Sequence, residues 1–114
     1  MARKTPVPRP DRIRRIHGSF SWIDHRFIRD GHMQKLTRDE IALYAFFILV
    51  GNRDGVSFYR MEKVCELLSY MEWGAFQKAR DHLITLGLIA FRPFSRNEPN
   101  GFYQVLALDP GERE

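Results

Sequence analysis

Apolar residues between positions 37 and 51 recur at the spacing of an α-helix. They form two stripes, one of Ile41, Tyr44, Ala45 and Ile48 and the other of Leu43, Phe46, Phe47 and Val50. Thr37 and Glu40 stand just before the stripes in the order of a capping box. We expect a helix over residues 38 to 51. Because it is apolar on two sides, we expect the later helices to cover one side, and residues 20 to 36 or a second copy of the chain to cover the other.

Two later segments each carry a single helical stripe. The first stripe consists of Met61, Val64, Cys65 and Leu68, which predicts a helix over residues 60 to 68 with Cys65 facing the core. The second consists of Phe76, Ala79, Leu83 and Leu86, which predicts a buried seam on a helix over residues 72 to 86. Gly87 follows in the position where a left-handed residue ends a helix.

Strand-like runs occupy the remaining apolar positions. A turn at residues 52 to 55 precedes a very short strand at 56 to 58, and runs at 88 to 93 and 102 to 108 flank a polar loop and predict a hairpin. Residues 18 to 36 predict a short strand or turn followed by a short helix, an N-terminal extension that packs on the core. The expected fold is mainly α with a small β-hairpin, ending in a tail at 109 to 114.

Composition fits one domain outside the membrane. With 44% hydrophobic residues, the 114-residue chain can fill one core. The most apolar stretch is only ten residues long, from 41 to 50, whereas about 20 are needed to cross a bilayer. The first ten residues are basic and proline-rich, unlike a secretory signal, and the single cysteine has no partner for an internal disulfide. These features favour the cytoplasm.

Positive charge is concentrated in the first 17 residues, which we call the arm. The arm holds six basic residues and one acidic residue, whereas the rest of the chain holds twelve basic and thirteen acidic residues. Prolines at positions 6, 8 and 10 favour an extended path, and we expect the arm to be flexible when unbound. It is either a solubilising end or an electrostatic anchor for phosphates, in which Arg12, Arg14 and Arg15 would make the contacts.

No motif for catalysis is present. The sequence lacks a glycine-rich phosphate loop, a nucleophile elbow and a paired-carboxylate motif, and the four histidines show no metal-ligand spacing. We therefore expect no enzyme activity, no cofactor and no metal site.

The order of the predicted elements resembles that of the winged helix-turn-helix family. The resemblance is carried by the segment VSFYRMEKVCELLSYMEWGAFQKARDHLITLGLIAF. Leu67 and Leu68 match the end of that family's second helix, and Leu83 to Ile89 match its passage from the recognition helix into the wing. The resemblance covers residues 37 to 108 and is greatest for the domains of phage, plasmid and chromosomal replication-initiation proteins. Two features depart from the family, a longer turn after Leu68 and a recognition helix that starts with Trp73, Gly74 and Ala75.

The resemblance implies a protein that binds double-stranded DNA, either sequence-specifically or architecturally, in transcription, replication initiation or mobile-element maintenance. On the recognition helix, Gln77 would read adenine and Lys78 would reach phosphate or guanine. Arg80 would contact the sugar-phosphate backbone of the DNA. Trp73 is either an exposed stacking residue or partly buried. The wing would contribute donors on a mobile loop, namely Arg92, Arg96, Asn97 and Asn100, although two arginines on a hairpin are equally a solvated tip.

A second interpretation is a protein-docking or dimerisation module, because the chain beyond the arm is nearly neutral. In that case the N-terminal segment or the first long helix would form a homodimer. A cationic recognition face would favour DNA, and a cationic arm alone leaves the choice open.

Overall fold

The computed structural model describes residues 5–108, which form four α-helices and a small three-stranded antiparallel sheet, with α2 and α4 packed against the sheet. In chain order the elements are α1 (Arg26–Arg29), α2 (Arg38–Val50), β1 (Val56–Ser57), α3 (Met61–Leu67), α4 (Trp73–Thr85), β2 (Ile89–Pro93) and β3 (Gly101–Val105), with short 3-10 turns at Pro10–Arg12 and Met33–Lys35. The three main predicted helices and the hairpin are all present. The predicted tail at 109 to 114 lies outside the described residues.

The capping box at the start of α2 is present as expected. The Thr37 hydroxyl accepts a hydrogen bond from the Glu40 backbone N–H at 3.2 Å, and Glu40 Oε1 accepts one from the Thr37 N–H at 3.0 Å. Of the two stripes, the one containing Leu43, Phe46 and Phe47 is the more deeply buried. Helix α2 is therefore the central helix, with its main face toward α4 and the sheet.

The sheet has the order β1-β3-β2, so the short strand at residues 56–57 joins the predicted hairpin as a third strand. Ser57 pairs with Tyr103, and Tyr103 pairs with Phe91, so these three side chains share the face that packs on the helices. The turn before β1 is organised by Asn52, whose Oδ1 accepts hydrogen bonds from two backbone N–H groups, and by Gly55 at φ 81°.

Tyr103 stands at the centre of an aromatic core. Its ring stacks on Phe47 with centroids 4.5 Å apart, lies 4.8 Å from Phe91, and meets the edge of Phe76 at 6.4 Å. Each ring comes from a different element, so this one contact set locks α2, α4 and both hairpin strands together. Cys65 is half-buried beside this core, and burial, with a smaller contribution from Glu62, raises the pKa of its thiol.

Helix α4 ends as predicted at Gly87, with φ 77°. The Gly87 N–H donates to the Ile84 carbonyl at 3.0 Å, and the Leu88 N–H donates to the Leu83 carbonyl at 3.0 Å, the hydrogen-bond pair of a Schellman motif. The predicted seam is wrong at its last position, because Leu86 is 37% exposed. The motif turns the chain toward β2 there, and Leu88 fills the core in its place.

The N-terminal extension packs on the core less completely than expected. Phe27 is buried and stacks on Tyr44 at 4.8 Å, and the Ser21 hydroxyl donates to the Ile48 carbonyl at 2.9 Å. Phe20 and Trp22, in contrast, are 68% and 74% exposed, and residues 19–24 form no strand. The predicted short helix is α1. No helix within residues 5–108 has the length and apolar character needed to cross a membrane.

Candidate nucleic-acid interface

The outward face of α4 presents Trp73, Gln77 and Lys78. Phe76 and Ala79 on the opposite face are at most 2% exposed and hold the helix against the core, which fixes the direction of its outer face. Lys78 is exposed and has no ion pair within the described part of the chain, Trp73 is 46% exposed, and Gln77 is half-buried. These three side chains are therefore presented on a rigid helix, with Lys78 the most accessible cation.

Arg80 lies elsewhere, against the core, although it was predicted to hold a nucleic-acid backbone. Its side chain is only 15% exposed, its Nε is 3.1 Å from Asp81 Oδ1, and its guanidinium lies 5.4 Å from the Phe91 ring centroid and 5.8 Å from that of Phe76. Burial lowers the pKa of Arg80, but Tyr103 and Asp81 outweigh it and raise that pKa. Arg80 is thus a packing residue that joins α4 to β2.

The same arginine affects Tyr103. Burial raises the pKa of the Tyr103 hydroxyl, and Arg80 offsets part of that rise. The hydroxyl is buried without a hydrogen bond of standard length and angle, so Arg80 acts on it as a nearby charge.

The hydrogen bond that joins α2 to α4 was not predicted from the sequence. His82 Nδ1 donates to Glu40 Oε2 at 2.8 Å, while the other oxygen of the same carboxylate serves the capping box. Burial raises the pKa of Glu40, but hydrogen bonds from Thr37 and His82 outweigh that effect and lower it. The carboxylate, 5% exposed, ties the start of α2 to the last turns of α4 and so fixes the direction of the outward face.

Asn100 was predicted to be an exposed donor on the hairpin, and this prediction is wrong. Asn100 is 2% exposed, and its Oδ1 accepts a hydrogen bond from the Met61 backbone N–H at 2.8 Å. The Met61 N–H is the first of α3 and has no partner within the helix, and the N-cap residue 60 provides no side-chain cap. Asn100 supplies an acceptor for the Met61 N–H from 39 residues away. The prediction failed because a polar loop residue gives no local sign that it caps a distant helix.

The rest of the hairpin loop keeps its exposed polar groups. Arg92, Arg96 and Asn97 are exposed, neither arginine has an ion pair among residues 5–108, and Asn97 adopts φ 63°. The loop is anchored to the start of α3 by Asn100 and by an Arg60–Glu98 ion pair at 3.4 Å. Arg96 and Asn97 are therefore presented on a loop that is anchored at two points, and Arg92 on the adjoining strand β2.

The described part of the arm is exposed throughout. Arg12, Arg14 and Arg15 are all exposed, and none has an ion pair in the described chain, whereas Arg9 pairs with Asp11 at 2.8 Å. Ten of these residues have no regular structure, and only Pro10–Arg12 forms a 3-10 turn. The three arginines, hereafter the arm arginines, are available to an anionic partner.

No group of three or more His, Cys, Asp or Glu side chains lies within residues 5–108 in a position to hold a metal ion. Comparisons of the chain with protein-family models, with curated proteins and with solved structures find no match.

Proposed function

We propose that the chain is a winged helix-turn-helix protein that binds double-stranded DNA, with α4 entering the major groove and the arm arginines contacting phosphates. The observation that carries the proposal is the exposed, unpaired Lys78 on the outer face of a helix whose other face is fixed in the core. A helix presented in this way fits the width of the major groove.

The order of the elements supports this proposal. A helix, a short strand, two helices joined by a five-residue connection and then a hairpin follow one another from α2 to β3, and the first strand pairs with the last. In a winged helix, the last helix is the one that reads DNA and the hairpin is the wing. Arg92 and Arg96 are the wing residues that keep exposed charge.

The roles differ among the residues. Lys78 contacts phosphate or guanine, Gln77 reaches adenine from its half-buried position, and Trp73 lies at the helix N-terminus where it contacts the sugar-phosphate backbone. Asp81 lies one turn later and repels phosphate, so the binding face is the first half of α4. Transcription, replication initiation or mobile-element maintenance would each use such a domain.

A docking module is the second candidate, and the near neutrality of the chain beyond the arm favours it. In that function the exposed Trp73 and Leu86 would contact a protein partner. The two functions differ in their dependence on salt, because only binding to DNA releases condensed counterions.

The test is Lys78→Glu, compared with Lys35→Glu, which makes the same change of charge at an exposed lysine of the N-terminal extension. Binding to a random 20-base-pair duplex is measured by fluorescence anisotropy at several salt concentrations. We expect Lys78→Glu to weaken binding about tenfold or more and to reduce the salt slope by about one, while Lys35→Glu has a much smaller effect. Equal effects of the two substitutions would show that binding does not use α4.

A further inference from the structure

The outer face of the sheet, opposite the helices, carries an exposed aromatic cluster. Phe102 on β3 points away from the core, since its neighbours Gly101 and Tyr103 are buried and Phe102 is 42% exposed. Phe58, just after β1, is 66% exposed, and Phe94, just after β2, is 38% exposed. We call these three residues the phenylalanine face.

The three rings touch each other without covering one another. The Phe102 centroid lies 5.0 Å from that of Phe94 with the planes at 87°, and 6.4 Å from that of Phe58 with the planes at 65°. Parallel stacking would hide the flat faces, whereas steeply tilted rings leave more of each face open to a further planar group. Because the three rings lie on the outer side of the sheet, they do not contribute to the packing of the core.

On the strands themselves, the polar side chains beside these rings are cationic or neutral. Arg92 is the register partner of Phe102 on β2, is exposed and has no ion pair in residues 5–108. Gln104 is the next outward residue on β3, and no acidic residue lies on the strands of this face. The acidic residues nearby are Glu98, which pairs with Arg60, and two glutamates of α3 that line a shallow groove beside Phe58. Of these two, Glu62 lies 4.0 Å from Arg60 and Glu66 lies 3.8 Å from Lys63.

We propose that the phenylalanine face binds single-stranded nucleic acid, with unpaired bases stacked on Phe58 and Phe102 and Arg92 on the backbone phosphate. Aromatic rings accept any base because every base has a π-face, and one nearby cation holds the phosphate that follows the base. The single strand runs toward the hairpin end of the sheet, away from Glu62. This site is separate from the outward face of α4 and requires no duplex binding.

The same charge argues against a second copy of the chain as the occupant. A two-fold dimer centred on Phe102 would bring Arg92 of one copy close to Arg92 of the other, because a two-fold interface pairs each patch with itself. The strands of this face offer no carboxylate to offset that repulsion. A single strand of nucleic acid supplies the missing negative charge.

The experiment measures binding of the full chain to oligo(dT) of 15 nucleotides, with the random duplex titrated in parallel. The substitutions Phe102→Leu and Phe58→Leu remove the ring but keep an apolar side chain, and Phe20→Leu makes the same change at an exposed phenylalanine of the N-terminal extension. We expect each of the first two to weaken oligo(dT) binding about tenfold, with duplex affinity and the thermal midpoint unchanged, while Phe20→Leu has no effect. Phe102→Tyr, which keeps a π-face, should retain binding.

Three results would contradict the proposal that the phenylalanine face binds a single strand. Unchanged oligo(dT) affinity in the Phe58→Leu and Phe102→Leu proteins would overturn the proposal, as would a parent chain that binds no oligo(dT) in low salt. Sedimentation equilibrium gives the remaining outcome, since a parent dimer that Phe102→Leu converts to a monomer would assign this face to a second copy. Loss of duplex binding in Lys78→Glu with oligo(dT) binding intact would uphold both sites as separate.

Discussion

Replacing Asn100 by alanine tests the link between the hairpin and α3. The Asn100 side chain is 2% exposed and accepts the Met61 N–H at 2.8 Å, in place of a cap from residue 60. Alanine removes the acceptor and leaves a backbone N–H at the start of α3 without a partner. Water reaches this position poorly, because Met61 itself is 1% exposed.

The magnitude follows from two overlapping costs. Loss of an N-terminal cap costs about 0.5–2 kcal/mol, and a buried donor left unsatisfied costs about 1–3 kcal/mol. We take about 2 kcal/mol for Asn100→Ala. In a domain of about 100 residues each kcal/mol moves the thermal midpoint by about 4–8 °C, so the expected decrease is about 8–16 °C.

The assay is thermal unfolding followed by circular dichroism, with urea unfolding to confirm the free energy. Ser95→Ala is the matched control, since Ser95 is exposed in the same loop and its side chain makes no hydrogen bond within the described residues. We expect that control to stay within about 0.5 kcal/mol of the parent. A midpoint for Asn100→Ala within 2 °C of the parent would refute the capping role.

Three further predictions concern stability and charge. Glu40→Gln should lower the free energy of unfolding by about 1–2 kcal/mol at pH 7, because the carboxylate serves both Thr37 and His82. The folded-state pKa of Glu40 is lowered, so its ionised form contributes stability above its ordinary pKa, and that stability is lost as the pH falls through the folded value. Urea unfolding of both proteins at pH 7 and pH 3.5 should therefore show a smaller difference at the lower pH, and a constant difference would contradict the assignment. Gly101→Ala should destabilise by more than about 2 kcal/mol in urea unfolding, because a Cβ would clash with backbone of β2; a neutral effect would show that β2 shifts easily. Replacing the three arm arginines by glutamine should reduce the salt slope of duplex binding by up to about three, and an unchanged slope would exclude the arm from the interface.

The helices were predictable because each is specified by neighbouring residues. The capping box of Thr37 and Glu40, the stripes of α2 and α4, and Gly87 at its positive φ are all features of a few consecutive positions. The error at Leu86 arose at the end of a stripe, where the chain turns toward β2 and periodicity no longer decides what is buried. Element boundaries are set by tertiary contacts as well as by pattern.

Asn100 and Arg80 were misassigned, and the second partner of Glu40 was missed, because these roles depend on residues in other elements. Asn100 caps a helix 39 residues earlier, Arg80 packs between rings of α4 and β2, and Glu40 pairs with His82 on another helix. A polar residue in a polar loop looks the same in the sequence whether it is exposed or buried. The cations of the predicted interface that remain available are Lys78, Arg92, Arg96 and the arm arginines, and they emerged only when these partners were known.

The phenylalanine face was likewise absent from the sequence reasoning. Phe58 and Phe102 lie in runs that read as ordinary strands, and Phe94 begins the polar loop of the hairpin. Alternation alone does not say that the outer side of the sheet would carry the three rings. Their common face depends on the pairing of β1 with β3, which joins residues nearly 50 positions apart.

The most direct test of the account is the salt dependence of duplex binding by the full chain, by its Lys78→Glu variant and by the variant with the three arm arginines replaced. A plot of log affinity against log salt concentration gives the number of phosphates that each protein neutralises. We predict a steep negative slope for the parent, a slope about one unit smaller for Lys78→Glu, and residual binding when the arm is neutralised. Absence of duplex binding by the parent at low salt, or complete loss with the arm variant alone, would contradict the role assigned to α4.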